Sequence, residues 1–314
     1  MSLAADTTVM ARREFASLGG RVSIEVAGKN AGLMLDGAEA IVRQLHSDLS
    51  RFEPLSELSR LNANPRPQVE ISPLMARFIG DVIDAARLSG GLVDATCLDA
   101  VENAGYRKSV DFRSRGEVPA GALTRMLPRH PASPAGEAGW GDVKLDVDRG
   151  LVTRPVGLRF DSGGLGKGLA ADLVAEALDE AEWFAIDCGG DLRTGGTARI
   201  RREVAVDGPG RGDGPVGKLE IQGQAIATSG ITRRAWIGPD GSHSHHLIDP
   251  GTGLPAFTGV IQASAVAPTT VLAEVRAKAA LLAGPGNAPE WLEDGGVVVL
   301  DGGRVIEISA LQHR

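Results

Sequence analysis

"LRFDSGGLGKGLAADLVAEALDEAEWFAIDCGGDLRTGG", residues 158–196, carries the fold in miniature. A short strand enters a glycine-rich turn, and Ala and Leu at helical spacing follow to about residue 181. A second strand from Trp183 then runs into another Gly-Gly turn. The two ends of the chain decide what this unit belongs to. "SLGGRVSIEVAG" (17–28) alternates apolar and polar residues around a Gly-Gly turn, the pattern of a strand or hairpin. "GVVVLDGGRVIEI" (296–308) closes the chain as a second hairpin. Hairpins at both ends, with helices and strands mixed rather than strictly alternating, predict an α+β fold with antiparallel sheet rather than a doubly wound parallel one.

The remaining segments fit that frame. Ala38, Ile41, Leu45, Leu49 and Phe52 recur at spacings of three and four, so 31–52 reads as an amphipathic helix. Residues 71–91 are punctuated as a helix by Ser72 at the N-cap, Pro73 in the first turn and Gly90 as a stop. "QAIATSG" (224–230) reads as a strand, 259–267 as extended chain, and a helix starts near 270. Residues 207–217 form a loop between strands. We expect one domain over 14–308, a loop insertion at 106–141, where Pro, Gly and Arg come without periodicity, and a flexible N-terminus at 1–13.

Composition narrows the function. The 314 residues are 43% hydrophobic and carry a net charge of -7, without the basic field of a nucleic-acid binder. Aromatic residues make up only 4%, so the core must be aliphatic. No window approaches the ~20 apolar residues of a membrane span. The opening "MSLAADTTVMARREF" shows neither signal peptide nor lipobox, so a cytoplasmic location is expected. Cys97 and Cys188 lack metal-type spacing and read as reduced, half-buried thiols.

Several short stretches carry chemistry. "GGLGKG" (163–168) delivers backbone N–H groups and Lys167 to a helix start, a good anion site, although it is not a Walker A loop. A plain turn with a surface lysine explains it equally well. "DCGGD" (187–191) has the same two readings. In "SHHLIDPGTGLP" (244–255), adjacent histidines point different ways in extended chain, so one can face a site and the other solvent. A triad of Ser229, His246 and Asp249 can be written down, but no nucleophile-elbow sequence supports it. "LAEVRAKAALLAG" (272–284) sets Glu274 and Lys278 four apart on one helical face, with Arg276 pointing away.

Taken in order, these stretches, with "SRFEPLSELSRLN" (50–62), "GGLVDATCLDAVENAGY" (90–106), "IATSG" (226–230) and the "SLGG" turn at 17–20, resemble the ApbE family. That family comprises FAD:protein FMN transferases, and the resemblance runs from about residue 14 to 308. It implies an ApbE-like fold of mixed and antiparallel sheets with packed helices. It also implies FAD as ligand, transfer of FMN to a Thr or Ser of a target flavoprotein with release of AMP, and Mg2+ on the pyrophosphate. Position by position, Leu18, Ser50, Arg51 and Phe52 match FAD-lining residues. Leu92, Val93 and Asp94 match an aromatic-Asp step, with Val93 where Phe is common. Asp161 and Lys167 match flavin-nucleotide contacts, and Gly164 a carbonyl that ligates the metal. His246, Ile248 and Asp249 fall in the His-x-Ile-Asp-Pro motif, with His246 and Asp249 as the expected catalytic pair.

The helix at 272–284 departs from the family's Ala-Asp-x-x-x-Thr. Glu274 stands at the metal-binding Asp and Lys278 at the Thr. A protonated lysine offers no lone pair to magnesium, which requires hard oxygen ligands in tight octahedral geometry. Two readings follow: Lys278 meets the FAD pyrophosphate as a fixed cation, or Glu274 and Lys278 simply pair and the metal site is gone. The family's Gly-Pro-Leu is also Leu98–Asp99–Ala100 here, and its usual Trp is Ala104. The expectations are therefore an FMN transferase or a non-catalytic FAD-binding homologue. The sequence does not name the acceptor protein.

Overall fold

The computed structural model describes residues 9–108, 129–135, 139–210, 212–238, 241 and 243–310. Most of the expected insertion at 106–141, and residues 1–8, lie outside the described residues. The six helices described are α1 (Ala31–Leu49), α2 (Glu57–Ala63), α3 (Pro73–Leu88), α4 (Leu98–Asn103), α5 (Gly166–Ala177) and α6 (Thr270–Asn287). The strands in chain order are β1 (Val9–Ser17), β2 (Gly20–Gly28), β3 (Gln68–Glu70), β4 (Lys144–Asp146), β5 (Leu151–Thr153), β6 (Trp183–Cys188), β7 (Leu192–Gly195), β8 (Arg201–Asp207) and β9 (Pro215–Gln222). They continue with β10 (Ala225–Gly230), β11 (Ala235–Ile237), β12 (His243–His245), β13 (Ile248–Asp249), β14 (Leu254–Pro255), β15 (Val260–Ala267), β16 (Gly296–Leu300) and β17 (Val305–Ile308).

Eight strands form the main sheet in the order β1-β2-β6-β7-β10-β15-β16-β17. Every pairing among the described strands is antiparallel, the two terminal hairpins included. The expected flexible N-terminus is corrected in part: residues 9–13 belong to β1, whose ladder with β2 starts at Val9↔Gly28. Leu18 turns that hairpin at φ 55°, a left-handed conformation uncommon outside glycine. The strand expected at 158–160 is also corrected. This stretch has no ladder partner, and Phe160 is held instead by the Asn62 side chain, whose Nδ2 donates to the Phe160 carbonyl (2.9 Å) and whose Oδ1 accepts from its N–H (2.8 Å).

Helix caps follow the sequence closely. Ser72 accepts from Met75 N at 3.1 Å, and Thr269 caps α6 through Leu272 N. The main core lies between the sheet and α1, α3 and α5, built from Val22, Ile24, Leu35, Phe78, Leu169 and their neighbours. A second cluster packs α6 on β15 and β16 through Ala277, Leu281, Ala263 and Val298. These two cores clamp the glycine-rich turn between α1 and α6, and that is where the cleft opens.

Candidate functional site

The cleft has two compartments. The first, about 620 Å3, lies between the β1–β2 turn, the C-terminal end of α1 and the glycine-rich turn. Leu18, Ser50, Arg51, Phe52, Asp161 and Lys167 line it. The second, about 310 Å3, continues past Gly163, Lys167 and Arg234 toward His246, Glu274 and Lys278. A groove of about 710 Å3 opens elsewhere, beside α3 and the start of α6, and holds none of the residues singled out from sequence.

In the first compartment Arg51 is built in rather than free. Its Nε lies 3.1 Å from Asp161 Oδ1, and its Nη2 donates to the Tyr106 carbonyl at 2.9 Å. The guanidinium stacks on Phe52 (4.2 Å) and Tyr106 (4.6 Å). Tyr106 packs in turn on Trp236, whose Nε1 donates to the Ala104 carbonyl. A tryptophan from β11 thus reaches across to Ala104, where the resemblance predicts one in the chain itself.

The second compartment is a buried charge cluster. Gly168 N donates to Glu274 Oε2 at 2.9 Å, while Lys278 Nζ and Lys167 Nζ lie 3.5 Å and 3.9 Å from Glu274 Oε1. Lys167 also pairs with Asp191, which accepts from Thr228 N at 3.2 Å. Two lysines and two carboxylates neutralise one another in a place where Glu274 is 2% and Lys278 9% exposed. Burial pushes the Glu274 carboxyl up and the Lys278 amine down, each opposed by the other's charge. Burial also works against the Lys167 charge, but Asp191 and Glu274 outweigh it and raise its pKa. The close packing explains the glycines: a Cβ at Gly168 would stand 2.6 Å from Glu274 Oε2, and one at Gly164 3.4 Å from Lys278 Cε. Helix α5 starts here without a side-chain bond from its N-cap residue Leu165, and Gly166 and Lys167 of its first turn line the cleft. The anion at this helix N-terminus is the Glu274 carboxylate, held by Gly168 N.

The two histidines divide, although not between site and solvent as expected. His245 is fully buried against Phe257, and its Nδ1 accepts from Leu247 N. Burial lowers its pKa to about 3. His246 lines the second compartment, and burial, then Arg234, His245 and Lys278, hold it well below its usual value, so it is neutral.

Other expected site residues stand back from the cleft. Asp249 Oδ1 accepts from Ser133 N (2.9 Å) and Gly251 N (3.0 Å), so the side chain ties a turn together. Ile248 is buried in the β13–β14 pair. Val93 sits in the core, and Asp94 accepts from Thr96 N and Oγ1. The Leu92–Asp94 segment lies behind the glycine turn, tied to it where Asp161 N donates to the Ala95 carbonyl. Asp191, Arg234 and Tyr106 were not assigned from sequence. "DCGGD" was the available signal for Asp191, whereas nothing local distinguished Arg234.

The cleft thus runs from an aromatic wall at Phe52 and Tyr106 to a buried cluster of paired lysines and carboxylates. The ApbE family model matches residues 18–300, and the chain belongs to the ApbE family. A FAD:protein FMN transferase of Haemophilus influenzae is 25% identical over 272 residues, covering 83% of this chain and 75% of the relative. One from Treponema pallidum is 33% identical over 144 residues, 41% of this chain and 39% of the relative. The ApbE protein of Thermotoga maritima superposes with a TM-score of 0.76 at 24% identity, covering 96% of this chain and 97% of that one. The flavin transferase ApbE of Vibrio cholerae superposes at 0.72 with 19% identity, covering 97% and 98%. The α+β fold is thus shared with solved ApbE structures. Among the described residues no helix is long and apolar enough to cross a membrane.

Proposed function

We propose that this chain binds FAD along the two compartments and serves FMN transfer from FAD to a Thr or Ser hydroxyl of a protein acceptor, with release of AMP. The observation that carries the reading is the junction of the compartments, which Lys167 of the first turn of α5, Lys278 and Arg234 all line. In this reading Phe52 and Tyr106, with the Arg51 guanidinium between them, cover a ring of the ligand. The two ammonium groups meet its pyrophosphate. The reaction exchanges a phosphoanhydride for a phosphoester: the acceptor oxygen bonds to the FMN phosphorus, the P–O bond to AMP breaks with its electron pair leaving on the AMP phosphate, and His246 accepts the hydroxyl proton.

We also propose that the anion subsite runs on lysine rather than on magnesium. Glu274 is already met by Gly168 N–H and two ammonium groups. With Lys278 offering an ammonium to the same carboxylate, this donor set does not fit a hard dication that takes six oxygens. A lysine neutralises phosphate charge but cannot bridge oxygens of two phosphates as a dication does. That difference favours a second reading, FAD carriage without transfer. Incubation with FAD and a Thr-bearing peptide, followed by chromatography for AMP, separates the two. AMP together with flavinylated peptide supports transfer, bound FAD without AMP supports carriage, and absence of FAD binding overturns both.

A further inference from the structure

The second compartment has a wall that the nucleotide reading does not use. Val204, Ala205, Val206 and Asp207, four consecutive residues of β8, all line it. Side chains of a strand alternate between two faces, so neither face can present four residues in a row. Only the edge can. Among the described residues β8 pairs with β9 alone, in a two-stranded sheet, so every second N–H and C=O of β8 is turned away from its partner. At the end of the strand Gln262 Nε2 already donates to the Asp207 carbonyl at 2.8 Å.

The rest of the lining leaves room for a second backbone. Gly189 and Gly190, at φ 66° and 98°, form the β6–β7 turn and put no side chain into the space. Thr228, Ser229 and Gly230 line the same compartment, as do Lys167, His246, Glu274 and Lys278. Four residues of strand span roughly 13 Å, enough to pair with a short extended segment. An open edge of this kind is a template for strand addition, in which main-chain hydrogen bonds supply the affinity.

We propose that the protein acceptor docks by strand addition: an extended segment of small residues pairs with the free edge of β8 and carries its Ser or Thr hydroxyl to Lys167, Lys278 and His246. The proposal rests on the transferase reading above and adds how the acceptor is held. Small residues fit because the space is only about 310 Å3. Recognition through backbone leaves side-chain identity loosely specified except at the hydroxyl.

The test is hydrogen exchange of the full chain, free, with FAD, and with FAD plus a synthetic heptapeptide, Ala-Ser-Gly-Ala-Thr-Gly-Ala, at millimolar concentration. The expected result is slowed exchange at alternate amides of 201–207 on adding peptide but not with FAD alone. N-methylation along the peptide then weakens binding roughly 10-fold at every second position, the loss of one main-chain hydrogen bond. Val204→Pro and Ala205→Pro give an internal control. Strand alternation turns one of these N–H groups toward β9 and the other toward the cavity, so one variant breaks the hairpin while the other keeps it and loses only peptide. Unchanged exchange over β8 with peptide, or protection already complete with FAD alone, overturns the proposal. FAD binding is followed separately by flavin fluorescence. Loss of FAD binding refutes the cleft reading, whereas FAD binding with an unprotected β8 refutes the docking mode alone.

Discussion

Replacing Lys278 with methionine keeps most of the side-chain volume and removes the charge, and two effects follow from its surroundings. The first is on stability. Lys278 pairs with a carboxylate that is 2% exposed, and removing one partner of a buried pair costs about 3–5 kcal/mol when the other is left alone. Glu274 is not left alone, since Gly168 N and Lys167 still hold it at 2.9 Å and 3.9 Å. The loss should therefore be smaller, about 1–3 kcal/mol, read as a lower denaturation midpoint. The second effect is on the ligand. A charge-assisted hydrogen bond to phosphate is worth about 1.5–3 kcal/mol, so the dissociation constant for FAD should rise roughly 10- to 150-fold. Flavin fluorescence quenching in EDTA measures it, at a denaturant-free temperature where the variant is shown to be folded. A folded Lys278→Met protein whose FAD affinity stays within about 3-fold of the parent, well under the smallest change the estimate allows, would falsify the role given to this lysine.

Three further predictions address other parts of the structure. Gly168→Ala should destabilise by about 1–3 kcal/mol, since the new Cβ meets Glu274 Oε2 at 2.6 Å and Val271 backbone at 3.0 Å; thermal melting shows it, and an unchanged Tm contradicts the packing. Phe52→Ala should weaken FAD by about 1–2 kcal/mol if its ring stacks on the ligand, and calorimetry detecting no change removes Phe52 from the site. Asp81 tests the acid behaviour. Burial raises its pKa to about 6, so its ionised form costs the fold above pH 6 and that cost disappears as pH falls toward 4. Asp81→Asn should therefore stabilise by about 1–2 kcal/mol at pH 8, less than the full shift because the Arg77 contact is lost, with the gain fading by pH 4. His245 runs the other way. Its folded pKa of about 3 lies below the usual value, so the unfolded chain takes up the proton first and stability falls as pH drops below about 6.5. Without Asp81 to offset it, that acid loss should be steeper in the variant, and parallel pH profiles would refute the Asp81 assignment.

The sequence carried the long elements because their signals are local. Ser72 and Pro73 mark the start of α3, and the Gly-Gly turns mark the hairpins of the main sheet. It did not carry α2, α4 or the three-residue strands β3, β4 and β5, which are too short for either period to show. Ser56 was a missed signal, since it caps α2 by accepting from Ser59 N. At the site, Lys167, Glu274 and Lys278 were legible because a turn and a helical spacing bring them forward. Asp191 and Arg234 were not, because they reach the cluster only through sheet pairing between distant segments. For Asp249 the motif places it beside His246, while in the fold its Oδ1 accepts from Ser133 N and Gly251 N, a turn the motif alone does not reveal.

The central claim is that FAD binds here on lysine charge. The most direct measurement is a titration of the unmodified chain with FAD by fluorescence quenching, once in EDTA and once with magnesium. The same dissociation constant is expected in both, since Lys278 and Lys167 already supply the positive charge. Binding that appears, or tightens 10-fold or more, only with magnesium would contradict it, because roughly 1.4 kcal/mol or more would then come from a metal.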